Sequence, residues 1–335
     1  MVRVRRVSAM VIAWALVLAL GAGIVSMLAS SAIAAPTLFA QQLVYGLQLG
    51  FVYALIALGY TLVYGIVKLI NFAHGDVFMV GAYISFWAVA RFHFRLIPAI
   101  LLSAVSCALL AVVMERVAYK PLRNAPRISA LITAIGMSFF LEYFAALDFV
   151  YTANFRVYQP RPPEVIQMEA QNWMVGGVRV NLLLMVVEAV CLIFLAILYV
   201  VVRKTKIGKA MRASSYDKPT ARLMGIDVDL VISFTFLMAA SLAGVGGVLY
   251  VNVFPQVGPF LGIMPGLKAF VAAVVGGIGS VPGALVGALI IGFVEVLAAH
   301  AISSPMRDAI AFSVLIVVLL IRPQGIFGEP EMEKV

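Results

Sequence analysis

The chain has 335 residues, 64% of them in the apolar set AVILMFWYC and only 12% charged, against about 25% charged in soluble domains. So few charges exclude an ordinary cytosolic enzyme, a disordered chain and a nucleic-acid module. The net charge of +9 then reads as a topology signal and a contact with anionic lipid. At roughly 20 residues per span, the apolar content allows on the order of ten membrane helices, and the fold class it predicts is all-α: a polytopic membrane helix bundle.

In chain order, Arg3, Arg5 and Arg6 precede an apolar run from Val7 to Ala35. Its apolar middle exceeds the ~7–15 residues of a signal peptide, so it reads as a retained helix. The competing reading is a cleaved signal ending at Ala32-Ile33-Ala34. Further apolar runs cover Leu43–Val67, Val77–Ala90, Ile97–Met114 and Ser129–Val150, then, past a polar stretch at Tyr151–Asn181, Leu182–Val202. A basic loop at Arg203–Asp229 leads to Leu230–Val253, Met264–Val281, Gly283–Ala299 and Asp308–Ile321. Several runs fall short of about 20 residues, which predicts broken or re-entrant segments and about 8–10 crossings. Residues 1–35 form an N-terminal transmembrane or signal-like extension, and residues 36–335 a single domain.

Lys and Arg set the expected orientation. Arg3, Arg5 and Arg6, then Arg116, Lys120, Arg123 and Arg127, then seven bases between Arg203 and Arg222, and finally Arg322, all fall on one side when ten crossings are drawn. That side is the cytoplasm, with both termini in it. Arg91 and Arg95 oppose this arrangement and are outnumbered. The stretch 151–181, nearly neutral and rich in proline, falls outside. Small residues spaced at four, Gly46/Gly50, Gly279/Gly283, Gly283/Gly287 and Ala243/Gly247, predict close helix packing.

Little catalytic chemistry is present. The Gly208-Lys209 pair is followed by Ala210 and lacks the preceding glycine of a P-loop, so no ATP site of that kind is expected. His74, His93 and His300 lack metal-ligand spacing. Cys107 and Cys191, each inside an apolar run, read as buried thiols. No cofactor is expected in this chain.

Polar positions inside apolar runs carry more information. Glu142, Asp148, Glu188 and Glu295 lie in or near spans, and an ionised group at membrane depth faces a bundle interior or a wet cavity. Two breaks expose backbone polar groups that protein or water must satisfy: Lys68–Asp76, with Asn71, His74, Gly75 and Asp76, and Val275–Gly283, with Gly276, Gly277 and Gly279. These, together with Glu142 and Glu295, are the candidate path residues. In the 203–229 loop, Pro219 suits a first helical turn, Ala221, Leu223 and Met224 suit a short amphipathic helix, and Gly225 suits its stop. Such a helix between two spans can transmit force from a soluble partner.

At this point the sequence resembles the LivH-type permease subunit of bacterial branched-chain amino-acid ABC importers. The resemblance runs from about residue 41 to the C-terminus, through Tyr53–Gly65 (YALIALGYTLVYG), Ile70–Tyr83 (INFAHGDVFMVGAY), Glu115–Arg123 (ERVAYKPLR), Ile132–Phe140 (ITAIGMSFF), the 208–227 loop, Gly266–Gly287 (GLKAFVAAVVGGIGSVPGALVG) and the closing PEMEKV. Residues 1–40 depart from it as an extension. The resemblance implies an inner-membrane permease that carries leucine, isoleucine or valine. It implies as partners a second homologous, LivM-like permease, two ATP-binding subunits holding ATP and Mg, and a periplasmic amino-acid-binding protein. It further implies that Arg212, Ala213, Tyr216, Asp217, Pro219, Ala221, Arg222, Leu223, Gly225 and Ile226 belong to the motif that seats in the ATPase subunit. Urea and short-chain amide permeases look similar, and an ion-coupled secondary carrier is the alternative from another class.

Overall fold

The computed structural model describes residues 32–328 except residue 124, with isolated positions 26, 29 and 30. Nearly all of the expected first span, its three arginines and the closing PEMEKV lie outside the described residues. The helices, in order, are α1 (Pro36–Val67), α2 (His74–Phe92), α3 (Leu96–Met114), α4 (Arg127–Ala145), α5 (Pro163–Ala170), α6 (Leu182–Lys204), α7 (Lys206–Tyr216), α8 (Lys218–Leu223), α9 (Val228–Val253), α10 (Ile263–Gly276), α11 (Val281–Ala301) and α12 (Met306–Ile321). A π-helical turn, Glu115–Tyr119, and a 3₁₀ turn, Lys120–Leu122, extend α3. Among the described residues, six helical stretches are long and apolar enough to cross a membrane: α1, α3 with its extension, α4, α6, α9 and α11. Helix α2 and the shorter α10 and α12 complete the bundle.

Helix α1 is the central column. Every residue from Val52 to Val63 is buried, as expected of a helix that is apolar on all sides. It packs against α11 along most of its length and against α9, which in turn holds α2 and α3. Helices α3, α4 and α6 stand at the periphery and expose Leu109, Phe140, Ile193 and similar side chains, the surface that a bilayer or a partner subunit covers.

The small-residue spacings mostly mark real contacts. A Cβ on Gly50 would lie 2.9 Å from Leu289 Cα, one on Gly287 2.0 Å from the Ala272 carbonyl oxygen, and one on Gly247 2.3 Å from that of Phe78. The Gly279/Gly283 pairing is corrected: Gly279 precedes α11, so the two share no helical face. The run expected over Ser129–Val150 ends at Ala145, and the one expected over Met264–Val281 ends at Gly276. Helix α10, at 14 residues, is a half-helix, too short for the roughly 20 residues a crossing needs.

The polar stretch 151–181 is more ordered than its composition implies. Asn172–Val175 (β2) and Val178–Asn181 (β3) form a hairpin around Gly176-Gly177, a dipeptide that suits a tight turn. Arg156–Val157 (β1) pairs antiparallel with Gln256–Val257 (β4). Tyr151 and Tyr158 are buried. The Tyr158 and Ser85 hydroxyls share a 2.6 Å hydrogen bond, and burial pushes the Tyr158 phenol up to about 12.

Candidate functional site

Two helices begin at the same place and leave in opposite directions. Helix α1 ends with Lys68 in the left-handed conformation, its N–H returned to the Tyr64 carbonyl. After a short connection α2 starts at His74, so Gly75 and Asp76 sit in its first turn rather than between helices. Helix α2 then runs back past Leu55 and Ile56, since Phe78 and both of those residues flank Gly246. Helix α10 starts at Ile263 and runs the other way, toward the level where Gly65 faces Gly279. The starts interlock: a Cβ on Gly75 would lie 2.7 Å from the Gly262 carbonyl oxygen and 2.9 Å from Gly266 Cα. Only hydrogen fits at this crossing.

Beside the interlock lies a cavity of about 200 Å³. Its polar wall is Tyr60, Asp76, Ser138 and Glu142; its apolar wall is Phe72, Ile135, Phe139, Ile263 and Leu267. Asp76 and Glu142 are buried and within hydrogen-bonding reach of each other. The Ser138 hydroxyl donates to Asp76 Oδ2 at 2.5 Å. Among the described residues neither carboxylate meets a lysine or arginine. Two carboxyl groups this close favour a cation or a proton between them. The N-termini of α2 and of the half-helix α10 reach the cavity wall, and the partial positive charge there favours an anion. The cavity thus offers opposite polarities along one wall and grease along the other, and it opens beside the exposed face of α4, which carries Ile135 and Phe139.

Not every candidate path residue is at this cavity. Gly75, Asp76 and Glu142 line it. Asn71 and His74 are buried just behind: the Asn71 side chain accepts a 2.6 Å hydrogen bond from the Tyr119 hydroxyl, and the His74 ring stands edge-on to Tyr60 at 4.8 Å. Glu295 lies elsewhere, on α11 where it faces α1, α10 and the start of α12. It accepts from Lys268 Nζ at 2.7 Å and from the Tyr53 hydroxyl at 2.9 Å, while Lys268 also reaches Asp308 at 2.7 Å. Ser138 and Lys268 were missed in the sequence. The first is one helical turn before Glu142, a spacing that could have flagged it; the second sits unmarked in an apolar run.

Gly276, Gly277 and Gly279 occupy the second break, away from the cavity, and the chain's own later segment fills it. The Ile326 N–H donates to the Val275 carbonyl and the Phe327 N–H to that of Gly276, both at 2.9 Å. Gly277 has φ +106°, and a Cβ there would lie 2.5 Å from the Gly328 nitrogen. Gly277→Leu is therefore expected to displace residues 325–328 and lower uptake while the bundle still assembles. Limited proteolysis near Arg322, with transport measured in parallel, reads both effects; unchanged cleavage and uptake would contradict the packing argument.

The basic loop forms α7 and α8. Thr205 caps α7 by accepting from the Gly208 N–H, and Asp217 caps α8 by accepting from the Thr220 N–H. Pro219 sits in the first turn of α8. The helix closes as a Schellman motif: Ile226 N–H to Ala221 carbonyl and Gly225 N–H to Arg222 carbonyl, both 3.0 Å, with Gly225 at φ +80°. Ala221 is buried, and Ile226 packs against the core beside it. Met211 anchors α7 against Ile66 and Val231, and the Arg212 guanidinium donates to the Val202 carbonyl. Outward stand Ala213, Tyr216, Pro219, Arg222 and Leu223; Tyr216 is 79% and Leu223 87% exposed. Lys218 donates to the Val67 carbonyl at 3.1 Å, and burial, with Arg123, Lys68 and Arg222 nearby, holds its ammonium below the usual lysine range.

Nothing crowds the missing Cβ of Gly225, so a substitution there acts through the backbone alone. Gly225→Val should strain the turn by ~1–2 kcal/mol and, on the ATPase seat that the resemblance implies for this loop, uncouple ATP hydrolysis from uptake, whereas Gly225→Asn should be tolerated. Amino acid transported per ATP hydrolysed, in the reconstituted assembly, checks this; an unchanged ratio in the valine variant contradicts it.

The family pattern described as branched-chain amino acid transport system / permease component matches residues 42–319. The high-affinity branched-chain amino acid transport system permease protein LivH of Escherichia coli is 40% identical over 310 residues, which cover 89% of this chain and 98% of that protein. BraD of Pseudomonas aeruginosa, of the same description, is 38% identical over the same shares. A probable branched-chain amino acid transport permease protein LivH of Methanocaldococcus jannaschii is 28% identical over 82% of this chain and 88% of that protein. With more than half the chain matched, and these relatives covered nearly end to end, the chain belongs to the family of permease components of branched-chain amino acid transport systems.

Proposed function

We propose that this chain is the membrane-spanning subunit of an importer that moves leucine, isoleucine or valine across the inner membrane, driven by ATP hydrolysed in separate subunits. The family match supports the transport role. The observation that carries the path is the cavity at the crossing of α2 and α10. An amino acid has an ammonium group, a carboxylate and a side chain. Asp76, Glu142 and Ser138 receive the ammonium by charge-assisted hydrogen bonds. The N-termini of α2 and α10 face the carboxylate. Ile135, Phe139 and Leu267 take the branched side chain. A second, homologous permease closes the side that α4 leaves open, and a binding protein delivers the substrate at the end bearing the 151–181 segment. ATPase subunits, holding ATP and Mg, seat on the exposed tip of α7 and α8 at the cytoplasmic end.

Reconstitution tests this reading. ATP-dependent leucine uptake should require the second permease, the ATPase subunits and the binding protein together. Uptake by the isolated chain along an ion gradient would favour the secondary carrier, and competition by urea or acetamide but not valine would favour an amide permease.

A further inference from the structure

The connection between α1 and α2 is gripped by α8 along two routes. The first is direct: Lys218 of α8 donates to the Val67 carbonyl at 3.1 Å, where the connection begins. The second runs through side chains. Arg222 of α8 reaches Asp229 at 3.3 Å, and Asp229 also receives Arg123 at 2.5 Å. Arg123 pairs with Glu115, which is fully buried and accepts a 2.7 Å hydrogen bond from Ser233. Glu115 opens the π-helical turn whose last residue, Tyr119, donates to Asn71 in the middle of the connection at 2.6 Å. Five residues past Asn71 the chain presents Asp76 to the cavity.

We propose that Tyr119 is a positioning residue: through its hydroxyl, the π-helical turn and the Glu115–Arg123–Asp229 ion pairs, the position of α8 sets the position of the Asn71–Asp76 segment, and so of the cavity's polar wall. Three features support this. The contacts are contiguous from one end to the other. Three of them, Tyr119–Asn71, Arg123–Asp229 and Ser233–Glu115, join segments 48 to 118 residues apart, so they report tertiary position rather than local folding. And a π-helical turn in an α-helix carries an extra residue per turn, a conformation frequent at functional sites. A displacement of α8 by a partner would be carried by two links, to Val67 at the start and Asn71 in the middle of one short stretch of chain. The inference rests on reading α7 and α8 as the ATPase seat, and its test measures coupling.

The complete importer in proteoliposomes provides it. Tyr119→Phe removes one hydroxyl and leaves the ring in place. Amino acid transported per ATP hydrolysed should fall about tenfold, the size expected from one hydrogen bond lost in one of two states, while the ATPase subunits still copurify. A merely structural role would lower uptake and hydrolysis together and leave the ratio unmoved. Asp229→Asn should lower the ratio too, and the double variant should be no worse than the worse single variant, because both cut one linkage. An unchanged ratio in Tyr119→Phe, or effects that multiply in the double variant, would overturn the linkage. A cysteine at Leu223 cross-linked to the ATPase subunit separates the two readings. Cross-linking with an unchanged ratio removes the linkage alone, and failure to cross-link removes the seat and the linkage with it.

Discussion

Neutralising both cavity carboxylates, in the double variant Asp76→Asn, Glu142→Gln, should reduce leucine uptake by about 10–100-fold, the loss expected when charge-assisted hydrogen bonds of ~1.5–3 kcal/mol become neutral ones. The fold should survive, because asparagine keeps an acceptor for the Ser138 hydroxyl and no described lysine or arginine is left without its partner. ATP hydrolysis by the assembled importer should continue. The measurement is initial uptake of radiolabelled leucine at several concentrations. If the carboxylates hold the ammonium, the loss appears with every amino acid and is indifferent to side-chain length. A variant that transports normally would place the path elsewhere.

The second large effect is on stability. Lys268→Met should destabilise the bundle by ~3–5 kcal/mol, lowering its thermal midpoint in detergent. Lys268 Nζ sits 2.7 Å from both Glu295 and Asp308, and Glu295 is only 2% exposed. Removing the cation strands a buried carboxylate whose remaining cationic neighbour, Arg307 at 3.5 Å, is half exposed. The double variant Lys268→Met, Glu295→Gln should recover most of the loss, since the penalty comes from an uncompensated charge rather than from a missing attraction. If both variants melt alike, the pair is not what ties α10 to α11. The network also explains why Glu295, an acid within a membrane helix, need not touch substrate: it fastens a half-helix that cannot span the bilayer by itself.

The basic loop shows how far local chemistry reaches. Pro219, Gly225 and the apolar positions between them predict α8, and the structure starts it at Lys218 and ends it at Leu223, two residues before Gly225. The cap residues Asp217 and Thr205 were equally available, since an Asp or Thr just before a helix accepts from its first free N–H groups. The breaks were legible for the same reason: glycine, asparagine and aspartate between apolar runs do not continue a membrane helix. Their meaning was not. Nothing local in Gly276-Gly277 announces that residues 325–328 fill that break, nor that Gly75 and Gly266, 191 residues apart, share one crossing.

By itself the sequence determined the membrane class, the helices and most of their limits, the small-residue contacts, the short helix of the basic loop and, through its blocks of resemblance, the family. Tertiary structure alone decided which acids share a cavity, which acid is tied to a lysine, and which side chains join α8 to the first break. The reason is the solvent. In water an amphipathic stripe tells a helix which face to bury, but lipid is as apolar as the core, so α1, buried on all sides, and α3, half exposed, are both written in the same leucines, valines and alanines. Facing is then settled by backbone approach at glycine and by the few polar side chains that must find one another across long stretches of chain.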